Sequence, residues 1–216
     1  MCGRGKLTTP ADELVLALGW PVDPRWDHPR WNVAPTQDVL ALRCGGDHLE
    51  AMRFGQGGGR RLHLNARAET LFERPAFRES ALSRRCAVVM DGFYEWRRAG
   101  GTRAEPYLFE RPDGAPFWLA GIFAPWPGGA PGVALVTTTA SPIVAEIHDR
   151  MPAILAAEAL ARWLDLRESR PEVLRALLAP DDTLVRRAVS RHVNSAAHDD
   201  PRCVAPADPA PQLELF

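Results

Sequence analysis

Apolar positions along this chain recur mostly as short alternating or continuous runs, the spacing of strands rather than of long amphipathic helices. Such runs cover Val39 to Leu42, Ala51 to Phe54, Leu62 to Ala66, Cys86 to Met90, Phe93 to Trp96, Tyr107 to Phe109, Phe117 to Phe123 and Val133 to Thr139. Turns rich in Gly or Pro separate most of them. Thr9 and Pro10 read as an N-cap and a first helical residue, with Leu14 and Leu18 on one face up to Gly19. Helical patterns return at Glu69 to Ser80, Ala156 to Leu166 and Pro171 to Leu178. The tract from Trp20 to Pro35 holds four prolines and three tryptophans and predicts an ordered irregular loop. Strands without regular helix alternation predict an α+β class, a single compact domain with a curved, mostly antiparallel sheet and peripheral helices. That domain is expected over residues 1–201, and the Pro- and Asp-rich end, 202–216, is expected to be a flexible acidic tail.

Composition narrows the function classes. The 216 residues are 46% hydrophobic and 25% charged, and 26 basic against 27 acidic side chains leave a formal charge of -1. A protein that coats a polyanion by charge alone is excluded. From Arg53 to Arg85, however, eight Arg face three Glu, so any anion would be met locally. No apolar run approaches the roughly 18 to 20 residues of a membrane span, and no signal-peptide pattern follows Met1, so a cytoplasmic protein without membrane contact is expected. The cysteines at 2, 44, 86 and 203 form no CxxC pair and have no His at ligand spacing. Reduced thiols, no metal and no cofactor are therefore expected. Lys6 is the only lysine, so a lysine Schiff base has one candidate.

Cys2 carries the most chemistry. A small second residue permits removal of the initiator Met, which would leave an N-terminal cysteine with an amine (pKa roughly 8) and a thiol (roughly 8.5) on adjacent carbons. The amine condenses with an aldehyde to an imine, and the neighbouring thiol closes a five-membered thiazolidine, an effective-molarity gain that no internal cysteine can copy. A chance small residue is the plain alternative. His148, in Ile147-His148-Asp149-Arg150-Met151-Pro152, can move protons near neutrality or serve as a structural histidine. Glu95, in Asp91-Gly92-Phe93-Tyr94-Glu95-Trp96, is either a buried acid-base group among aromatics or an outward strand residue sharing a face with Phe93. Asn65 and Arg67, two apart in Asn65-Ala66-Arg67-Ala68-Glu69-Thr70, could orient a polar group and hold a phosphate, or cap a helix.

Taken together with Met1-Cys2-Gly3-Arg4, Asn32-Val33-Ala34-Pro35-Thr36 and Arg85-Cys86, these motifs stand in the order seen in the SRAP family (SOS response-associated peptidase), which the chain resembles from Met1 to about Pro201. The resemblance implies a compact α+β fold around a distorted β-barrel, single-stranded DNA binding, and a thiazolidine crosslink between the N-terminal cysteine and the ring-opened aldehyde of an abasic site. It makes Cys2 the nucleophile, Asn65 the group positioning the N-terminus and sugar, Glu95 a proton-transfer group and His148 the residue assisting ring opening. Arg4, Arg67 and Arg150 match positions that hold DNA phosphates, a backbone grip with little base readout.

The chain also departs from the family. Where SRAP proteins usually show Trp-Gly-Leu followed by Pro and Trp, it has Phe54-Gly55-Gln56-Gly57-Gly58-Gly59-Arg60-Arg61. A lost base-aromatic stack forfeits about 1 to 3 kcal/mol, so weaker or more salt-sensitive DNA binding is expected, with Arg60 and Arg61 as substitutes. The ending Gln212-Leu213-Glu214-Leu215-Phe216 resembles the peptide by which bacterial repair proteins dock on the sliding clamp, its anchors being Gln212, Leu213, Leu215 and Phe216. A tail folded back on the domain is the alternative. A monomer is expected. Two other functions compete: an N-terminal-nucleophile amidohydrolase or peptidase, in which the thiol attacks an amide, and a non-catalytic single-stranded DNA binding module.

Overall fold

The structure is a computed structural model that describes residues 2–57, 62–97, 104–126 and 129–207. Arg60, Arg61 and the anchors Gln212, Leu213, Leu215 and Phe216 lie outside the described residues. From the N-terminus, β1 (Gly5–Leu7) leads into α1 (Ala11–Leu18), followed by β2 (Arg30–Val33), β3 (Asp38–Arg43) and β4 (Leu49–Phe54). Next come β5 (Asn65–Arg67), a 3-10 turn (Ala68–Thr70), α2 (Pro75–Ser83), β6 (Arg85–Met90), β7 (Gly92–Arg97) and β8 (Glu105–Glu110). The pair β9 (Phe117–Trp126) and β10 (Gly129–Thr139) precedes α3 (Pro142–Ala145), β11 (Arg150–Pro152) and β12 (Ile154–Leu155). Then α4 (Ala157–Leu164), α5 (Pro171–Ala176), β13 (Val185–Ala188) and 3-10 turns at Arg191–Asn194 and Pro201–Val204 complete the fold.

Five strands close a barrel. β10 pairs in parallel with β4, and antiparallel pairings run from β4 to β3, β6, β9 and back to β10. Closure leaves these strands without free edges. Alternate residues serve two cores: Val39, Ala41, Cys86, Val88, Leu119 and Val133 pack together, whereas Leu40, Leu42, Ala87 and Val89 meet Leu14, Phe77, Trp163 and Leu174 from the helices. Burial on both faces is why Cys86 to Met90 reads as one apolar run. A second antiparallel sheet, ordered β13-β8-β7-β1-β2, adds the stacked rings of Phe93 and Phe109 to the first core. On its other face Tyr94 and Leu108 pack on Val189, Val193 and Cys203.

Arg85 ties the helical layer to the barrel. It is fully buried, and its guanidinium donates to the carbonyls of Ala81, Leu82, Trp163, Asp165 and Glu168. One arginine of the local basic stretch is thus structural rather than an anion contact.

The α+β class with a barrel matches the reading of the sequence, and several local expectations are corrected. The first helix begins at Ala11 with Pro10 outside it as the cap. The tract Trp20 to Pro35 contains β2, which pairs with β1. The pattern Glu69 to Ser80 is broken before Pro75, because the residue preceding a proline is pushed from helical to extended backbone, and Arg74 has φ -73 and ψ 125. The run from Leu62 becomes a strand only at Asn65. The packed domain extends past residue 201: Cys203 is fully buried and Val189 bridges Pro206, so the segment assigned to the tail begins inside the fold.

Candidate functional site

The C-terminal end of β10 gathers the residues singled out from the sequence. On one edge β5 runs parallel, setting Asn65 against Leu135 and Arg67 against Thr137. β11 runs antiparallel to the same end, setting Arg150 against Thr139 and Pro152 against Thr137. Segments more than 80 residues apart in sequence therefore flank Thr137.

The N-terminus enters from the second sheet. Gly5 pairs with Phe93, and Tyr94 N–H donates to the Arg4 carbonyl at 3.1 Å, so residues 2–4 run back along β7 toward Glu95. Asn65 Nδ2 donates to the Cys2 carbonyl at 2.9 Å and to the Leu64 carbonyl at 3.0 Å. Cys2 is 1% exposed, and burial pushes its thiol well above the ordinary range, with the nearby charge of Glu95 acting in the same direction. Glu95 is 2% exposed, so the outward-facing alternative is wrong: the face it shares with Phe93 is the core face. Burial raises its carboxyl pKa, and neighbouring His148 offsets part of that rise. Cys2, Asn65, Glu95 and His148 are thus linked in one cluster.

His148 sits in the turn after α3, where its backbone N–H bonds the Val144 carbonyl at 2.9 Å. Arg150 N–H donates to its Nδ1 at 3.0 Å. The Asp149 carboxylate also lies 3.1 Å from Nδ1 but is largely exposed, so the main-chain donor is the better-fixed partner.

Beside Asn65 opens a cleft of about 570 Å³ lined by His63, Asn65, Arg67, Arg74, Pro75, Ala76, Phe77, Thr137 and Arg150. Arg67 is exposed at its mouth. Arg150 is held by a bidentate pair with Glu69, at 2.6 and 2.9 Å, and by the Thr137 carbonyl at 2.6 Å. The hydrogen bonds from Arg150 lower the Glu69 carboxyl pKa, against the opposing effect of its partial burial.

Arg4 does not reach this cleft's lining. Its guanidinium donates to Asn32 Oδ1 at 2.8 Å and to the Val193 and Asn194 carbonyls, and lies over the Trp96 ring. Asn32, fully buried, in turn donates to the carbonyls of Val193, Ser195 and His198. These contacts seat residues 193–198 against the second sheet. The reading of the sequence missed Arg74, Thr137 and His63 as cleft residues. No motif spacing marks them, because their convergence depends on strand pairing.

Among the described residues, His192, Asp200 and Cys203 bring ligand-type atoms within 4.8 Å of one another, although their spacing in sequence suggested no such group. Their polar atoms are engaged locally. Arg202 donates to both Asp200 oxygens, His192 Nε2 lies 3.0 Å from Asp200 Oδ2, and Cys203 Sγ lies 3.6 Å from the His198 carbonyl.

The family model for SOS response associated peptidase (SRAP) matches residues 1–196. The chain belongs to the SRAP family. It is 34% identical over 224 residues to the abasic site processing protein YoqW of Bacillus subtilis, covering 94% of this chain and 99% of that protein. The abasic site processing protein HMCES of Gallus gallus is 33% identical over 168 residues, covering 67% of this chain and 50% of that protein. A crystal structure of a Bacteroides thetaiotaomicron protein superposes with a TM-score of 0.83 at 25% identity, covering 95% of this chain and all of that one. The SRAP chain thus shares its fold with that protein. Among the described residues, no helix is long and apolar enough to cross a membrane.

Proposed function

We propose that this SRAP protein binds single-stranded DNA and captures abasic sites covalently through Cys2 once Met1 is removed. The observation that carries the reading is the 2.9 Å bond from Asn65 to the Cys2 carbonyl, which ties the N-terminal nucleophile to the end of the arginine-lined cleft. Relatives named as abasic site processing proteins support it.

The chemistry needs no oxidant. In the closed abasic sugar the C1′–O4′ bond breaks as a proton moves from the C1′ hydroxyl to O4′, leaving an aldehyde and a C4′ hydroxyl. His148 is suited to this step, because an imidazole can pass a proton to O4′ near neutrality. The Cys2 amine adds to the aldehyde and water leaves, giving an imine. Glu95, its carboxyl pKa raised by burial, is the group suited to deliver a proton to the departing hydroxyl. The thiol then adds across C=N: sulfur bonds C1′, its proton ends on nitrogen, and the thiazolidine closes. Arg67, with Arg74 and Arg150, supplies positive charge along the cleft for the flanking phosphates. An abasic nucleotide has no base to unstack, so its sugar enters at little cost.

The test is a denaturing gel of purified protein mixed with single-stranded DNA carrying one abasic site, with loss of Met1 checked by mass. A shifted band that disappears in Cys2→Ala is expected. Protein lacking Met1 that yields no shifted band overturns the reading, and binding that is noncovalent and indifferent to Cys2→Ala assigns a simple binding module instead.

A further inference from the structure

His63, Asn65 and Arg67 alternate along one extended segment, and all three line the cleft, so their side chains share a face. The backbone at His63 is pinned independently of its side chain: His63 and Gln56 exchange both main-chain hydrogen bonds at 2.8 Å. Its ring is half-buried and stands at 81° to the ring of Phe77, with centroids 5.1 Å apart. Phe77 is 5% exposed in the first turn of α2 and packs in the helical core, so it braces the imidazole from a fixed position. One strand face thus presents, in order, an aromatic ring, an amide and a guanidinium. A nucleotide chain presents three matching parts: a base with a π-face, a sugar and a phosphate.

We infer that His63 is a stacking platform for the nucleobase next to the captured sugar, a binding residue of the cleft for a base of any sequence. The inference rests on the reading of the cleft as a single-stranded DNA site. Stacking accepts every base because each has a π-face, which suits a site whose substrate is defined by a missing base rather than by sequence. Asn65 stands between the two contacts, and so holds the N-terminus at the position of the sugar between the stacked base and the gripped phosphate.

The test uses single-stranded DNA with a tetrahydrofuran abasic analogue, which has no aldehyde and cannot be captured, flanked by the fluorescent base 2-aminopurine. Wild type should quench the fluorescence on binding, and His63→Phe should keep the quenching. His63→Ala should lose it and bind roughly tenfold more weakly. His63→Leu packs on Phe77 but cannot stack, so it should fold like His63→Phe and behave like His63→Ala. Equal quenching and affinity in the Leu and Phe variants overturns the platform while leaving the DNA-binding reading intact. A wild-type protein that does not bind this DNA at all overturns both.

Discussion

Asn65→Ala isolates the contact on which the proposed chemistry depends. The Asn65 amide has two outward bonds, one to its neighbour Leu64 and one across 63 residues to Cys2. The first is local and replaceable by water, so the substitution chiefly removes the second. A part-buried neutral hydrogen bond contributes about 0.5 to 1.5 kcal/mol, and about 1.4 kcal/mol is a tenfold change in rate. If the bond serves only to hold the N-terminus in its reactive position, crosslinking should slow roughly 2- to 13-fold. A misplacement of the reacting atoms approaching 1 Å would extend the loss to about 100-fold. Asn65→Asp should be slower still, because a carboxylate sets oxygen against the Cys2 carbonyl where a donor is needed. The assay is a single-turnover time course with protein in excess over abasic single-stranded DNA. Affinity for the tetrahydrofuran analogue is measured in parallel to separate positioning from binding. Crosslinking within twofold of wild type in Asn65→Ala would refute the reasoning.

Three further outcomes are expected. Burial raises the Glu95 pKa, so above the ordinary carboxyl range the native state retains a proton that the unfolded chain has lost, and stability falls as pH rises through that window. Glu95→Gln should therefore match wild type near about pH 4 and become the more stable protein toward pH 8 in urea titrations, while crosslinking more slowly; a pH-independent stability difference would contradict this. Arg85→Ala leaves the buried Ala81 and Trp163 carbonyls without their donor, at about 3 to 5 kcal/mol together, which is roughly 10 °C or more in Tm. A loss below about 1 kcal/mol would show that water replaces the guanidinium. Deleting Gln212 to Phe216 should abolish pull-down by the bacterial sliding clamp without slowing crosslinking, and unchanged pull-down would remove the clamp assignment.

The basic stretch from Arg53 to Arg85 shows how far charge counting carries. Arg67 and Arg74 line the cleft, but Arg85 is sealed in the core and Arg84 is spent on Glu79, Ser80 and the Phe123 carbonyl. The sequence also lacks the family's usual aromatic pair before Arg61, and His63 supplies a ring at a different address.

By itself the sequence determined the fold class, the longer barrel strands and the family. These rest on information carried locally: short apolar runs, glycine and proline punctuation, and motifs in a distinctive order. It also named Cys2, Asn65, Glu95 and His148, because each lies in a motif with distinctive chemistry. Only the tertiary structure decided which way those groups face and which arginines remain available. Phe93 and Glu95 share a strand face by simple alternation, but whether that face is core or solvent depends on the sheet packed against it. Arg4 looks the same in sequence whether it holds a phosphate or three oxygens of its own chain. The strands of two to four residues, from β1 to β13, carry too little periodicity to be read alone. They exist because longer partners, β10 above all, offer them hydrogen bonds, and that pairing brings residues 65–67 and 148–150 to the same end of the barrel.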